Sequence, residues 1–252
     1  MQRRQFLQTS ALATALLGGM PLSATAKSAK GKVVVIGGGY GGATAAKYLR
    51  MLSGNQLDVT LVEPNSTFVS CPMSNLVVGG IRKINEISTP YTGLTRNHGV
   101  KMVKDYVTAI DVEKRTVKLK NGKTLPYDKL VLSPGIDLQL DKIEGLAAAN
   151  ASGQILQAWK AGPETVGLRK QLEAMPDGGT YILNVPLAPY RCPPGPYERA
   201  SMVANYFKQY KPKSKVLLLD ANADVTSKGK LFKGVWESEY KGILEYRPNM
   251  KV

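Results

Sequence analysis

"GKVVVIGGGYGGATAAKYLRML", residues 31–52, decides the fold. Val33 to Ile36 form a run of β-branched residues, the composition of a strand buried on both faces. Gly37, Gly39 and Gly42 follow at G-x-G-x-x-G spacing and open at once onto an alanine-rich helical stretch. The three glycines do different things. One turns the chain sharply out of the strand, one lets backbone N–H groups approach a pyrophosphate, and one seats the helix against the sheet. The spacing alone is common. What makes it specific is "LDVTLVEP", residues 57–64, a second strand that ends in Glu63, 26 residues after Gly37, where an acid accepts hydrogen bonds from ribose hydroxyls.

Working outward, "YVTAIDVEKRTVKLKNGKTLPYDKLVLSPG", residues 106–135, alternates in strand fashion, with Asn121-Gly122 expected as a two-residue hairpin turn. It reads as a small β-meander running into a buried strand at 129–133. A nucleotide-binding βαβ unit, a meander and then "LVLSPG" is the layout of flavoproteins with two dinucleotide-binding domains. FAD is therefore expected in preference to free NAD, with Ser133, Pro134 and Gly135 joining Gly37, Gly39, Gly42 and Glu63 as cofactor-binding residues.

The pattern then repeats. "GPETVGLRKQLEAM" is a helix with Pro163 well placed at its start, and "GGTYILNVP" is a strand. A helix from about Pro196 to Tyr210 and the strand "KVLLLDA", closing in Asp220, complete a second β-loop-α-β frame. Between them lies "NVPLAPYRCPPGPYERA", residues 184–200, with five prolines. Proline has no N–H for a phosphate and cannot supply the torsions of a glycine turn, and Gly195 alone does not rebuild the cradle. This half keeps the architecture without the fingerprint, so NAD(P) binding is not expected there. Cys192 stands near the loop-to-helix junction, where the dipole of the following helix favours a thiolate; the alternative is a buried, inert small residue. Glu198, early in that helix, is either a proton-transfer group or an ordinary first-turn glutamate.

The fold class is thus α/β: a Rossmann-like FAD domain with a meander over residues 27–144, and a second, incomplete Rossmann-like half over 145–252. With 252 residues and 43% apolar side chains the chain can bury a substantial core. The net charge of +15 is spread along the chain, with no basic block interleaved with aromatics. That distribution suits solubility, anion attraction or an acidic partner, and nucleic-acid binding is not expected. No metal site is expected, and the single histidine, His98, suggests none. Residues 1–26, "MQRRQFLQTSALATALLGGMPLSATA", read as an export signal: a basic start, a short apolar middle, and Ala24 and Ala26 as an A-x-A cleavage site. Arg3 and Arg4 followed by Phe6 and Leu7 match the twin-arginine type, so a periplasmic location is expected. The apolar run is short for an uncleaved membrane anchor, and no stable membrane insertion of the mature chain is expected. Cys71 and Cys192, the two cysteines of an exported chain, invite a disulfide that sequence cannot test in space.

At these residues a resemblance enters. "IGGGYGGATAAKYLR", "EPNSTFVSCPMSNLVVGG", "LVLSPGIDL", "AWKAGPETVGLRKQLEAMPDGGT", "RCPPGPYERAS" and "KPKSKVLLLDA" together resemble the flavoprotein subunit of flavocytochrome c sulfide dehydrogenase. The resemblance implies that FAD is bound covalently through Cys71 of "SCPMSN", which leaves Cys71 unavailable to Cys192. It implies that Cys192 of "RCPPGP" is the first member of a redox-active disulfide beside the flavin, attacked by hydrosulfide, and that Glu198 handles protons. It implies a heterodimer in which a separate c-type cytochrome subunit takes the electrons, in keeping with the lack of a C-x-x-C-H haem site here. The second disulfide cysteine and the returning part of the FAD domain would follow Val252, so the chain reads as the N-terminal portion of a longer protein or a truncated product, inactive alone. Two alternatives remain beside this expectation: a sulfide:quinone oxidoreductase-like flavoprotein, and a non-catalytic partner in a sulfur-oxidation complex.

Overall fold

The computed structural model describes residues 30–251, so the export signal read in residues 1–26 lies outside the described residues. The first βαβ unit is β1 (Lys32–Ile36), α1 (Tyr40–Leu52) and β2 (Asp58–Val62). A short antiparallel ribbon of β3 (Thr67–Val69) and β4 (Ser88–Pro90) flanks the small helix α2 (Ser74–Val78); α3 (Thr92–His98) then leads into β5 (Lys101–Val103). The meander is β6 (Val107–Asp111), β7 (Thr116–Leu119) and β8 (Thr124–Pro126), and β9 (Lys129–Leu132) returns the chain to the first sheet. That sheet is fully parallel, in the order β5-β2-β1-β9.

Central position explains why β1 needs apolar residues on both faces. Val33 and Val35 pack with Ala46, Val59 and Leu61 under α1, while Val34 joins Val62, Val117, Leu119 and Tyr127 under the meander. The meander therefore serves as the second cover of the sheet. Two expectations are corrected here. Strand β9, expected to be buried, is only half-buried and Leu132 is 60% exposed, because among the described residues β9 is an edge strand paired to β1 alone. The hairpin between β7 and β8 is not a two-residue Asn-Gly turn. The Gly122 N–H bonds the Leu119 carbonyl and the Leu119 N–H bonds the Lys123 carbonyl, so the loop has three residues, with Gly122 at φ +87° in the bulge position after a tight turn.

After α4 (Leu146–Ala151), the second half runs α5 (Pro163–Ala174), β10 (Thr180–Val185), α6 (Gly195–Tyr210), β11 (Lys215–Asp220), α7 (Gly229–Ser238) and β12 (Leu244–Arg247). Its sheet is also parallel, ordered β10-β11-β12, with Val185 opposite Asp220. Helix α7 and strand β12 are not anticipated by the sequence pattern: four strand residues carry too little of it to read. Tyr197, Val203, Phe207 and Leu218 are fully buried at the centre of this half, each contributing on the order of 1.5–3 kcal/mol by burial. Val78 of α2 belongs to the same cluster, so the segment after Cys71 leaves the first half and is packed into the second.

Candidate functional site

The glycine loop shows three different reasons for glycine. At Gly37, with φ +92°, a Cβ would lie 2.0 Å from the Ser133 carbonyl oxygen; at Gly42 it would lie 1.8 Å from the Gly37 carbonyl oxygen. Both are close approaches of backbone to backbone, binding β1, α1 and the β9 end together. At Gly39, by contrast, nothing lies within 4 Å of where a Cβ would stand. That glycine is required by no contact among the described residues, and the open space at the start of α1 is one that could take a pyrophosphate. Ser133 and Pro134 close one wall: the Ser133 N–H bonds the Ile36 carbonyl, and a Cβ at Gly41 would meet Ser133 Oγ at 2.8 Å. Gly135, at φ +83°, carries the chain away from the loop.

Glu63 sits at the end of β2 and is buried. Its Oε2 accepts from the Gly38 N–H (2.8 Å), and its Oε1 from the Asn65 N–H (2.9 Å) and Asn65 Nδ2 (2.7 Å). A carboxylate has about four acceptor sites, so one is left for a ribose hydroxyl. Tyr91 locks the loop from below, donating to the Gly38 carbonyl at 2.9 Å. Burial, and secondarily the Glu63 carboxylate, push its hydroxyl up to about 12. With a folded value above the unfolded one of about 10, this contribution to stability is complete below pH ~10 and lost as pH rises towards ~12. Denaturant midpoints followed from pH 8 to 12 are expected to fall less steeply above pH ~10 in Tyr91→Phe than in the parent. Equal slopes would remove Tyr91 from that titration.

The cradle connects directly to the first cysteine. Tyr40, the first residue of α1, bonds Ser70 Oγ through its hydroxyl at 2.6 Å and stacks edge-on against Phe68. Cys71 follows Ser70 and is an exposed, free thiol. Its carbonyl accepts from the Ser74 N–H and Ser74 Oγ, which fixes the turn into α2, and its Sγ accepts the Ala161 N–H at 3.5 Å.

In the second half the corresponding acid is saturated by the protein's own donors. Asp220 ends β11 as Glu63 ends β2, but it is fully buried. Its Oδ2 accepts from the hydroxyls of Tyr197 (2.8 Å) and Tyr246 (3.1 Å), and its Oδ1 from the Asn222 N–H and Nδ2. No acceptor site remains for a ribose. Burial, with the Asp220 contact adding to it, holds both tyrosine hydroxyls above their ordinary range, so they remain protonated donors.

Cys192 is exposed and free, so neither a disulfide with Cys71 nor burial as an inert residue describes it. It adopts a left-handed conformation, φ +57°, and its carbonyl accepts the Gly195 N–H at the start of α6. A Cβ at Gly195 would lie 3.2 Å from Cys192 Sγ and 3.5 Å from Trp159 Cζ3, so the sulfur hangs over the first turn of α6 beside the indole. Glu198 lies one turn on, 3.4 Å from Asn75 Nδ2.

Three residues of this site carry no signal in the sequence pattern. Asn75, on α2 just after Cys71, is buried and reaches the Gly195 carbonyl and Glu198, with no donor for its own Oδ1 among the described residues. Trp159 belongs to a strap, residues 157–161, whose turn is held by Gln157 Oε1 accepting two backbone N–H groups. Arg199 is only 5% exposed and bonded to the strap at the Ala158 carbonyl. The strap thus touches Cys71 at one end, through Ala161, and flanks Cys192 at the other, through Trp159. Only the strap's position within "AWKAGPETVG" could have hinted at this; the contacts span 41 to 123 positions of sequence.

A glycine cradle ending a parallel strand, an acid at the end of the next, and a second half wound the same way define an α/β oxidoreductase fold of the FAD-binding Rossmann type. The chain belongs to the flavoprotein chains of flavocytochrome c sulfide dehydrogenase, within the pyridine nucleotide-disulphide oxidoreductases. Residues 31–161 match the family described as pyridine nucleotide-disulphide oxidoreductase, and residues 165–252 match the central region of the sulfide dehydrogenase (flavocytochrome c) flavoprotein chain. Over 46 residues, 18% of this chain and 94% of the relative, it is 61% identical to the sulfide dehydrogenase (flavocytochrome c) flavoprotein chain of Chlorobaculum thiosulfatiphilum. It is 29% identical over 189 residues, 74% of this chain and 41% of the relative, to the mitochondrial sulfide:quinone oxidoreductase of Dictyostelium discoideum. The solved sulfide:quinone oxidoreductase of Aquifex aeolicus superposes with a TM-score of 0.71 at 24% identity, over 86% of this chain and 51% of that one. The chain therefore spans about half or less of the length of the two sulfide:quinone oxidoreductases.

Proposed function

We propose that this chain carries the flavin-tethering and sulfur-handling part of a periplasmic sulfide dehydrogenase, which oxidises hydrosulfide to sulfur or polysulfide and passes electrons to a c-type cytochrome subunit. The observation that carries the reading is continuity: the cradle at Gly39 leads through Tyr40 and Ser70 to Cys71, and the strap at 157–161 leads from Cys71 to Cys192. The residues fit the cofactor, since the space at Gly39 and the spare acceptor of Glu63 suit a pyrophosphate and a ribose. FAD supplies, when bound, an acceptor that takes electrons in a pair and releases them singly.

In this reading Gly39 and the start of α1 hold the pyrophosphate, Glu63 orients the ribose, and Cys71 tethers the ring through a thioether. Cys192 enters as one half of a disulfide whose other cysteine comes from sequence beyond this chain. Hydrosulfide attacks Cys192 Sγ, the existing S–S bond breaks, and a persulfide forms on Cys192 while the partner cysteine leaves as a thiolate with the electron pair. Glu198, held near Asn75, takes the proton given up by the incoming sulfur. Asp220, bonded by Tyr197 and Tyr246, offers no free acceptor to the ribose of a nicotinamide nucleotide in the second half.

The tether is tested by acid precipitation of the purified protein. Yellow flavin is expected to stay with the pellet in the parent and to pass into the supernatant in Cys71→Ala; flavin freely extracted from the parent would overturn the tether. A second reading, with a quinone as acceptor, is favoured by the likeness to sulfide:quinone oxidoreductases. Sulfide-dependent reduction of a quinone in the absence of cytochrome would support it. Among the described residues no helix is long and apolar enough to cross a membrane.

A further inference from the structure

The guanidinium of Arg199 is a buried cation that makes no ion pair within 4 Å among the described residues. It lies on α6 only 5% exposed, its terminal nitrogen donates to the Ala158 carbonyl at 2.6 Å, and its Nε–H finds no acceptor among the described residues. One carbonyl dipole is a poor match for a full positive charge withdrawn from water, and buried charges are as a rule paired. The position is not arbitrary. Gly195, Glu198 and Arg199 fall at i, i+3 and i+4, so all three share one side of α6, the side over which Cys192 Sγ hangs. The strap that anchors the guanidinium at Ala158 also sets Trp159 beside Cys192, so the buried cation and the exposed sulfur are held by the same short segment. The groups whose charge bears on Arg199 are Tyr181 of β10, Cys192 and Glu198; Tyr181, itself held neutral by burial, supplies no anion.

We propose that Arg199 is the fixed counter-charge for anionic sulfur at Cys192, drawing the hydrosulfide anion in and stabilising the thiolate or persulfide anion that stands there during turnover. Arg199 acts through its field and touches no reacting atom, so it is a positioning and specificity residue. The inference rests on the proposed role of Cys192. It assigns to this site a preference for small anionic thiols over neutral ones.

The test uses the holoprotein, reduced with dithiothreitol and labelled at one fixed pH with iodoacetate, an anion, or iodoacetamide, its neutral analogue. Peptide-resolved mass spectrometry counts label at Cys192 apart from Cys71. Both reagents consume the thiolate, so the ratio of their rates cancels the thiolate fraction and reports the local potential. The ratio is expected to fall about fivefold in Arg199→Met, to stay within about twofold of the parent in Arg199→Lys, and to rise in Glu198→Gln, which removes the opposing charge. An equal ratio in Arg199→Met and the parent would overturn the proposal. Where Arg199→Met does not fold, the parent decides: its ratio must exceed that of the same cysteine in urea, and equality overturns the proposal. The underlying reading fails separately, if Cys192→Ala retains sulfide turnover whatever the labelling ratio.

Discussion

Replacing Cys192 by glycine is expected to abolish sulfide-dependent electron transfer, by about a thousandfold or more, without destabilising the protein. The two halves of this expectation have different origins. Loss of turnover follows from the proposed chemistry, because the sulfur that receives hydrosulfide is gone and nothing else in the loop can form a persulfide. The stability follows from the backbone. Cys192 sits at φ +57°, a conformation that costs a residue with a Cβ about 1–2 kcal/mol and costs glycine nothing. Glycine gives back about 0.5–1 kcal/mol through the greater freedom of the unfolded chain, so the backbone terms together favour glycine by about 0.5–1 kcal/mol. Cys192→Ala provides the control: it removes the same sulfur, keeps the strained torsion, and should unfold at a lower urea concentration than Cys192→Gly, by about 1 kcal/mol. If the alanine variant proved the more stable, the left-handed placement would be wrong; if both retained turnover, the sulfur chemistry would be.

How far the sequence carried this site is clearest from the contrast between its two acids. Glu63 was legible because the chemistry that needs it is local: a strand, a glycine turn and an acid at the end of the next strand, all between Lys32 and Glu63 itself. Asp220 occupies the same topological place and was legible as part of the same frame. The saturation of its acceptors by Tyr197, Tyr246 and Asn222, however, depends on side chains that meet only after α6 and β12 pack on β11. The prolines remove the cradle by subtraction; the donors that occupy Asp220 are a separate feature of the same half, found only in the packed structure. Arg199 and Trp159 lie in stretches that carry the family resemblance, yet nothing in their spacing distinguished a buried cation from a solvated one. The burial of Arg199 is decided by the strap 41 positions upstream. The failure at Asn121-Gly122 is of another kind. A glycine at positive φ serves equally well in a two-residue turn or in the bulge of a three-residue loop, and the pairing register chooses between them.

The glycine loop yields the second large effect, because its glycines are predicted to fail in opposite ways. Gly42→Ala would press a methyl group to 1.8 Å from the Gly37 carbonyl oxygen and 3.3 Å from Ser133 Cβ. The first obstacle is backbone that can retreat only by separating α1 from β1, under which Ala46 and Val35 are fully buried. Overpacking of this kind costs about 1–3 kcal/mol or more, so the variant should melt early and hold no flavin, the cradle being lost with the packing. Gly39→Ala meets nothing within 4 Å and has ordinary extended torsions, φ −66° and ψ −170°. Stripped of cofactor it should unfold within about 1 kcal/mol of the parent. Yet its methyl group stands in the one space the loop leaves open, where backbone N–H groups must come within hydrogen-bond reach of a pyrophosphate. Its flavin-to-protein absorbance ratio should therefore fall about tenfold or more while its apoprotein stability holds, a combination that no packing defect produces. Full flavin in Gly39→Ala would mean that the open space is not the cofactor's, and a normally stable Gly42→Ala would mean that α1 is not seated on β1 as described. The two outcomes are independent, so cofactor recognition and helix seating, which share one six-residue motif, can be separated by two methyl groups.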